Sequence, residues 1–190
     1  MGLRGSKTEE NLLKSFVGES QARNRYTYFA SRAKKEGFEQ IAGVFLETAD
    51  NEKEHAKVFF RYLEGGDLEI EGKFPAGTIG TTEENLKAAA DGEHEEFSCV
   101  YPEFERIARE EGFGDVADSF KEIAVAEREH ERRYRKLLEN VESGRVFEKD
   151  DVVKWKCRNC GYVSEGKVAL ELCLACKHPR KYYELFVENY

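Results

Sequence analysis

The chain has 190 residues, a net charge of −8 and 36% charged residues. The acidic balance argues against nucleic acids and anionic membranes as partners. No apolar run approaches the roughly 18 residues that a membrane-spanning helix needs, and the first residues lack the apolar segment of a signal peptide. With only 3 prolines, the composition indicates a helical cytoplasmic protein.

The helical part of the chain contains an internal repeat. Residues 33–64 align without gaps on residues 108–139, an offset of 108 − 33 = 75 residues. Each repeat is expected to form two helices joined at a Glu-Gly-Phe corner, where Gly37 or Gly112 suits the left-handed conformation that ends a helix. The sequence therefore predicts four helices, at residues 7–36, 39–64, 82–111 and 114–142.

A glycine-rich segment, residues 65–81, separates the second helix from the third. About 17 extended residues reach roughly 55 Å, whereas a helix of about 28 residues is roughly 42 Å long. The segment can therefore run the full length of a bundle. We expect an all-α four-helix bundle with one long crossover and short turns elsewhere.

Each predicted helix carries acidic residues on its apolar face. Because a helix turns by about 100° per residue, the apolar positions locate its buried side. On the third helix Glu93 falls at the centre of the apolar stripe and Glu96 near its edge, whereas His94 and Glu95 point away. The other inward-facing polar residues are Glu19, Glu52, His55, Glu127 and His130.

Clustered carboxylates in a core require protons or cations, because burying an ionised carboxylate costs several kcal/mol. Two Glu-x-x-His motifs, with glutamates from two further helices, form the ligand set of a carboxylate-bridged dinuclear site. These ligands suit iron or manganese, and zinc is possible. One such motif is equally compatible with a surface helix, but two at matched positions of a repeat favour a metal site.

Three residues near this face remain open to more than one interpretation. Tyr26 is either core filler or a hydrogen-bond partner of the site. Pro102 predicts a kink just beyond Glu96, either to adjust the site or for packing alone. Cys99 is expected to be a small buried hydrophobic residue.

Past residue 143 the chain changes character and is expected to enter a small β-rich module. Two Cys-x-x-Cys pairs, Cys157/Cys160 and Cys173/Cys176, supply four thiolates for a tetrahedral site. Such a site selects zinc or a single iron, and the spacing does not decide between them. We predict two domains, residues 1–146 and 147–190. The small core of the second is expected to hold Trp155, Tyr162, Tyr182, Tyr183 and Phe186.

Taken together, these motifs resemble the rubrerythrin family over essentially the whole chain. That family combines a ferritin-like diiron bundle with a C-terminal rubredoxin-like domain. One departure is visible, because the second cysteine pair is followed by Lys177 and lacks the proline and glycine often found in rubredoxins. The segments that carry the resemblance are "GESQARNRY" (18–26), "ETADNEKEHAK" (47–57), "FPAG" (74–77), "GEHEE" (92–96), "AVAEREHE" (124–131) and "KCRNCGY" (156–162).

The resemblance implies a role for each inward-facing residue. Glu52 and Glu127 would bridge two irons, with Glu19 on the first iron and Glu93 and His130 on the second.

The remaining residues are implied to be movable ligands or hydrogen-bonding groups. Glu96 would bind the first iron in the oxidised state and His55 in the reduced state. Tyr26 and Tyr101 would donate hydrogen bonds at the site.

The activity implied by the resemblance is reduction of hydrogen peroxide to water in oxidative stress defence. An iron held by the four cysteines would relay electrons from a donor such as a rubredoxin or an NADH-linked reductase. Family members are homodimers in the cytoplasm. Two alternatives stay open: a ferroxidase or iron-handling protein in which the cysteine module is incidental, and a non-enzymatic scaffold with zinc in both sites.

Overall fold

The computed structural model describes residues 2–189, as a helical bundle followed by a small antiparallel sheet. Met1 and Tyr190, the outermost residues of the two predicted domains, lie outside the described residues. The all-α bundle and the small β module match the fold class expected from the sequence. The helices are α1 (Lys7–Glu36), α2 (Glu39–Tyr62), α3 (Thr82–Glu95), α4 (Tyr101–Glu110) and α5 (Gly114–Glu142).

The two Glu-Gly-Phe corners have nearly the same geometry. Gly37 has φ 87° and Gly112 has φ 86°, so both adopt the left-handed conformation that glycine tolerates best. In each corner the N–H of the following phenylalanine donates to the carbonyl five residues earlier, at 2.9 Å and 2.8 Å. The prediction that these glycines end helices is confirmed.

The third long helix differs from the prediction of one continuous helix over residues 82–111. It consists of α3, a π-helical segment at Glu96–Val100, and α4. The N–H of Tyr101 donates to the carbonyl of Glu96, five residues earlier. A π turn accommodates one extra residue in a helix, so this distortion accompanies the kink predicted from Pro102. Cys99 lies exposed on the solvent side of the segment, so the prediction of a buried cysteine was wrong.

Residues 63–81 form the crossover between α2 and α3 and contain no helix or strand. Two polar contacts tie the crossover to α1 and the chain start: Gln21 Nε2 donates to the carbonyl of Pro75 at 2.9 Å, and Arg4 Nη2 donates to that of Gly65 at 3.1 Å. α3 then begins with a capping box, in which Thr81 and Glu84 satisfy each other's backbone N–H. The predicted long connection is therefore present.

The bundle consists of two helical hairpins, with α1 packed along α2 and α5 packed along α3 and α4. Its apolar interior is divided into two clusters, one around Tyr26 and Phe45 and the other around Phe59 and Phe120. The inward acidic residues of α2 and α5 lie between these clusters. Within residues 2–189 no helix is long and apolar enough to cross a membrane.

The C-terminal module is a three-stranded antiparallel sheet with β1 (Glu148–Cys157) between β2 (Val163–Val168) and β3 (Tyr183–Leu185). Trp155 anchors its core and donates from Nε1 to the carbonyl of Gly166 at 3.0 Å. Tyr183 is buried beside it, with Tyr162 and Tyr182 half-buried against the cluster. Phe186 does not join this core, because β3 ends one residue before it and its ring lies beside Lys154.

Candidate metal centres

The carboxylates of Glu52 and Glu127 lie between two imidazole rings in the middle of the bundle. Glu52 Oε2 is 2.9 Å from His55 Nδ1, and Glu52 Oε1 is 3.2 Å from His130 Nδ1. Glu127 Oε1 and Oε2 are each 2.8 Å from the Nδ1 atoms of His55 and His130, respectively. The two ring centroids are 6.0 Å apart. Each carboxylate thus presents one oxygen to each side, as a bridging ligand does.

Two further carboxylates close the ends of this arrangement. Glu19 Oε2 lies 3.9 Å from His55 Nδ1, and Glu93 Oε2 lies 3.7 Å from His130 Nδ1. The ligand atoms therefore form two overlapping groups, in each of which all atoms lie within 4.8 Å of one another. The groups are Glu19, Glu52, His55 and Glu127 on one side and Glu52, Glu93, Glu127 and His130 on the other.

Burial makes this cluster costly without cations. Each of the four carboxylate side chains in the two groups is at most 1% exposed, and a buried, unpaired anion costs several kcal/mol. Several of the atoms converge at short range without the angles of a hydrogen bond, as ligands around a common ion do. Hard oxygen donors with two imidazoles fit a pair of iron ions. Among the ligand atoms of this cluster, those buried without a hydrogen-bond partner are Glu19 Oε2, Glu52 Oε1, Glu93 Oε2, both carboxylate oxygens of Glu127 and His130 Nδ1.

Protonation of the metal-free chain reflects the same need for positive charge. Burial, together with neighbouring carboxylates, raises the pKa of Glu19 and Glu96 well above their ordinary value. Burial and the field of Glu52 raise the pKa of Glu93 to about 8. These carboxyl groups therefore hold protons at neutral pH when no metal is bound.

The two histidines act as counter-ions in the metal-free chain. Burial alone would lower the pKa of His55 and His130, but contacts with Glu127 and Glu52 raise these pKa values to about 10 and about 12. Burial would likewise raise the pKa of Glu52, but contacts with both histidines lower it to about 2. Metal binding must displace the histidine protons, since a coordinating imidazole is neutral.

Two buried tyrosines donate to the terminal carboxylates in a crosswise pattern. Tyr26 Oη donates to Glu93 Oε1, and Tyr101 Oη donates to Glu19 Oε1. Burial raises the pKa of both phenols well above the ordinary value, so they stay protonated and donate. Tyr26, for which the sequence left two interpretations, is a hydrogen-bond partner of the site.

The π-helical segment explains how both tyrosines reach equivalent positions. Tyr26 follows Glu19 by 7 residues, two helical turns on the same face. Tyr101 follows Glu93 by 8 residues, which in a regular helix would place it about 80° around the helix from Glu93. The extra residue accommodated at Glu96–Val100 restores Tyr101 to the buried face. The extra residue is visible in the sequence as the difference between the Glu19–Tyr26 spacing of 7 residues and the Glu93–Tyr101 spacing of 8.

Glu96 lies outside both groups of ligand atoms. Its side chain is half-buried and lines a cavity together with Tyr101. His94 and Glu95 face solvent, as predicted, and His94 Nδ1 is 3.2 Å from Glu131. With His55 inside and Glu96 outside, the ligands have the arrangement that the resemblance assigns to the reduced site.

Tyr134 is a further buried residue beside the site that the sequence patterns did not single out. Its ring centroid lies 5.5 Å from that of Tyr26 and 5.1 Å from that of Phe45. Its hydroxyl is buried without a hydrogen-bond partner, and burial with the field of Glu93 raises its pKa. The signal was available, because Tyr134 follows His130 by 4 residues and so shares its face.

The four cysteines of the C-terminal module form the second centre. Cys157 and Cys176 have Sγ atoms 3.8 Å apart, and those of Cys160 and Cys173 are 3.6 Å apart. These distances are far beyond a disulfide of about 2.05 Å and match a tetrahedron with metal–sulfur bonds of about 2.3 Å. The backbone N–H of His178 lowers the pKa of Cys176 to about 6, which favours a thiolate ligand.

The two cysteine loops share one backbone geometry despite their different sequences. Gly161 follows the first pair with φ 78°, and Lys177 follows the second with φ 60°. The N–H of Gly161 donates to the carbonyl of Cys157 at 2.8 Å, and that of Lys177 donates to Cys173 at 3.0 Å. The missing glycine therefore leaves the loop geometry intact, with a lysine in the left-handed conformation.

Comparisons with known proteins agree with both centres. The Rubrerythrin family model matches residues 10–138, and the model of the rubredoxin-like domain of rubrerythrin matches residues 155–184. Rubrerythrin of Porphyromonas gingivalis is 61% identical over 188 residues, covering 99% of this chain and 94% of that protein. Rubrerythrin of Nitratidesulfovibrio vulgaris is 56% identical, covering 99% of this chain and 98% of that protein.

Solved structures support the same fold. The fully reduced, all-ferrous state of nigerythrin superposes with a TM-score of 0.64 at 30% identity, covering 97% of this chain and 91% of that chain. Symerythrin from Cyanophora paradoxa, at 24% identity and a TM-score of 0.63, covers 75% of this chain and 89% of that chain and shares the fold. The cofactors of this fold and ligand set are a carboxylate-bridged diiron centre and an iron held by four cysteines. The chain belongs to the rubrerythrin family.

Proposed function

We propose that the protein is a non-haem diiron peroxidase that reduces hydrogen peroxide to water in oxidative stress defence. The observation that carries the proposal is that Glu52 and Glu127 each present one oxygen to His55 and the other to His130 in a single buried site. Two ferrous ions bound by these residues would supply the two electrons that cleavage of the O–O bond consumes, and two protons would complete two water molecules.

The proposed ligand roles follow the contacts of each carboxylate. Glu52 and Glu127 would bridge the two metal ions, and Glu19 would bind the ion on the side of His55. Glu93 serves the side of His130, which lies 3.7 Å away.

Four other residues support the site. Glu96 and His55 are proposed as alternative ligands of the first iron, in the oxidised and reduced states, respectively. Tyr26 and Tyr101 fix the terminal carboxylates by donating to them. Since burial keeps both phenols protonated, they also hold protons close to the site.

The four-cysteine iron is proposed to return electrons to the diiron centre from a rubredoxin or an NADH-linked reductase. The C-terminal module contacts its own bundle through Lys181, whose Nζ is 3.4 Å from Glu39. Glu39 precedes Glu52 by 52 − 39 = 13 residues, about 20 Å along α2. We therefore propose a homodimer in which the cysteine site of one subunit serves the diiron site of its partner, with residues 1–146 and 147–190 as the two functional domains. Thiolate ligands suit the cytoplasm, a reducing compartment.

The decisive test joins metal analysis to oxidation of an anaerobically reduced sample. Iron in both sites and rapid oxidation by stoichiometric hydrogen peroxide, faster than by oxygen, are expected. Fast oxidation by oxygen with a sluggish peroxide reaction would instead identify a ferroxidase. A colourless protein that retains only zinc after anaerobic purification would contradict any redox function.

Mixed dimers test the path between subunits. The Cys157→Ser subunit keeps the bundle ligands, and the Glu127→Ala subunit keeps the cysteines, so each homodimer is expected to lack sustained turnover. Mixing them creates heterodimers with one intact relay site and one intact diiron site on different subunits. Recovery of turnover on mixing supports the relay between subunits, whereas no recovery contradicts it.

A further inference from the structure

A cavity of about 230 Å³ lies beside the diiron centre, between α1, the crossover and the π-helical segment. Glu96 and Tyr101 line it on one side, and Tyr101 connects it to the centre by donating to Glu19. Arg25 of α1 lines the same cavity. Glu96, the proposed movable ligand, and the cationic Arg25 therefore line the same cavity.

Arg25 stands at the border between the cavity and the metal centre. Its guanidinium carbon lies 5.8 Å from the ring centroid of Tyr26, which donates to Glu93. Its Nε is buried and has no hydrogen-bond partner. A guanidinium always carries its charge, so a permanent positive charge lies next to the ligand cluster without belonging to it.

Glu96 has few other sources of positive charge when it lies outside the cluster. Arg25 and Glu96 line the same cavity. The other cations of the cavity wall are Lys14 and Lys73. Lys14 is 3.8 Å from Glu10, and Lys73 lies on the exposed crossover. Arg25 is therefore the cation placed to act on Glu96.

We propose that Arg25 is a positioning residue for Glu96. In the metal-loaded protein its charge stabilises the Glu96 carboxylate in the cavity and so opposes the entry of Glu96 into the ligand group of Glu19. Arg25 thereby sets the balance between the two positions of Glu96. This inference rests on the proposed function only in treating Glu96 as a movable ligand.

The first test is the reduction potential of the diiron centre in iron-loaded Arg25→Gln protein. Removing the charge favours the inner position of Glu96, and hence the oxidised centre, by about tenfold. Tenfold corresponds to a potential lower by about 59 mV for a one-electron step. Arg25→Lys, which keeps the charge, should show a potential close to that of the wild-type protein. Arg23→Gln, on an exposed arginine of the same helix, is the matched control and should leave the potential unchanged.

A double-mutant cycle separates the action on Glu96 from a direct field on the irons. In a Glu96→Gln background, Arg25→Gln should no longer shift the potential. A shift of equal size with and without Glu96, or an equal shift in Arg23→Gln, would overturn the proposal.

Crystal structures of zinc-loaded protein provide a readout without redox chemistry. Wild-type protein is expected to have Glu96 in the cavity and His55 on the metal, whereas Arg25→Gln should have Glu96 partly or fully on the metal. Glu96 in the cavity in both proteins would contradict the role of Arg25. Peroxide turnover of the wild-type protein tests the proposed function separately, since a protein without peroxidase activity would still show these shifts if Arg25 positions Glu96.

Discussion

The two metal centres of this chain are built in opposite ways. The bundle centre draws ligands from α1, α2, α3 and α5 and buries four carboxylates at 1% exposure or less. The cysteine centre draws its ligands from two short loops, and Cys160 is exposed. Thiols are neutral when protonated, whereas clustered carboxylates repel one another. The bundle centre therefore depends on its metals for charge balance, and the cysteine centre uses its metal to staple a small module.

The largest expected effect separates the two centres by function. Cys157→Ser removes a buried ligand of the proposed relay, at a residue that packs in the core of the C-terminal module. Reductant-driven peroxide turnover should fall by about 100-fold or more, since even loss of groups around a metal ligand costs roughly 10–100-fold. A single oxidation of the pre-reduced protein, followed by stopped-flow absorbance, should keep its rate.

Cys99→Ser is the matched control for that variant. Cys99 is exposed on the π-helical segment and belongs to neither centre. Its replacement should change neither turnover nor the single oxidation. Sustained turnover in Cys157→Ser protein would show that electrons bypass the cysteine site.

Removing the metals should destabilise the bundle, increasingly so as pH rises. The pKa of Glu93 rises from 4.5 to about 8 on folding of the metal-free chain. Its stabilisation is thus complete below pH 4.5 and is lost as pH rises through about 8. His55, raised from 6.5 to about 10, acts in the same direction at higher pH. Glu52, lowered to about 2, changes stability only in acid, where its contribution is lost as pH falls.

The free energy of unfolding of metal-free protein should therefore drop by on the order of 3 kcal/mol between pH 5 and pH 8. The chain has 1 tryptophan, Trp155 in the C-terminal module, so its fluorescence follows that module while far-ultraviolet circular dichroism follows the bundle. Iron-loaded protein should not show this loss, since metal binding strengthens as ligands deprotonate. A metal-free bundle equally stable at both pH values would contradict the inward carboxylate cluster.

A smaller effect is expected from Glu96→Ala, because Glu96 lies outside the ligand groups in this structure. The oxidised centre should lose iron affinity by about tenfold and change its visible spectrum, while the reduced centre should change little. Glu95→Ala, on the exposed neighbour, should alter neither spectrum. Equal changes in both oxidation states would show that Glu96 is a permanent ligand.

Much of both centres could be predicted from the sequence, because the ligands sit in local patterns. Glu52 and His55 share a helix face at i, i+3, and the internal repeat supplies the matching pair. The four cysteine ligands could be predicted from the spacing of the two Cys-x-x-Cys pairs alone. The break in the third helix was missed because a helical wheel assumes a constant turn per residue, and Pro102 signals a kink without saying how many residues it accommodates. Cys99 was expected to be buried because of its residue type alone, although its position 6 residues after Glu93 turns it by about 120° from the buried face.

The smallest predicted effect compares the two tyrosines that the π-helical segment makes equivalent. Tyr26→Phe and Tyr101→Phe each remove one donor to a carboxylate, a contact worth about 1.5–3 kcal/mol. The ring of Tyr26 is enclosed by Phe29, Phe45 and Tyr134, so no water can replace its hydroxyl.

Tyr101 borders the cavity beside Glu96, where water can take over the lost hydrogen bond. Thermal unfolding of the iron-loaded variants should therefore show the larger loss for Tyr26→Phe, by roughly 1 kcal/mol. A larger loss for Tyr101→Phe would mean that its hydrogen bond to Glu19 also holds the π-helical segment in place. In that case the π-helical segment between α3 and α4 is stabilised by the metal centre. The helix pair α1–α2 and the pair formed by α3–α4 and α5 then differ in stability as well as in the spacing between glutamate and tyrosine.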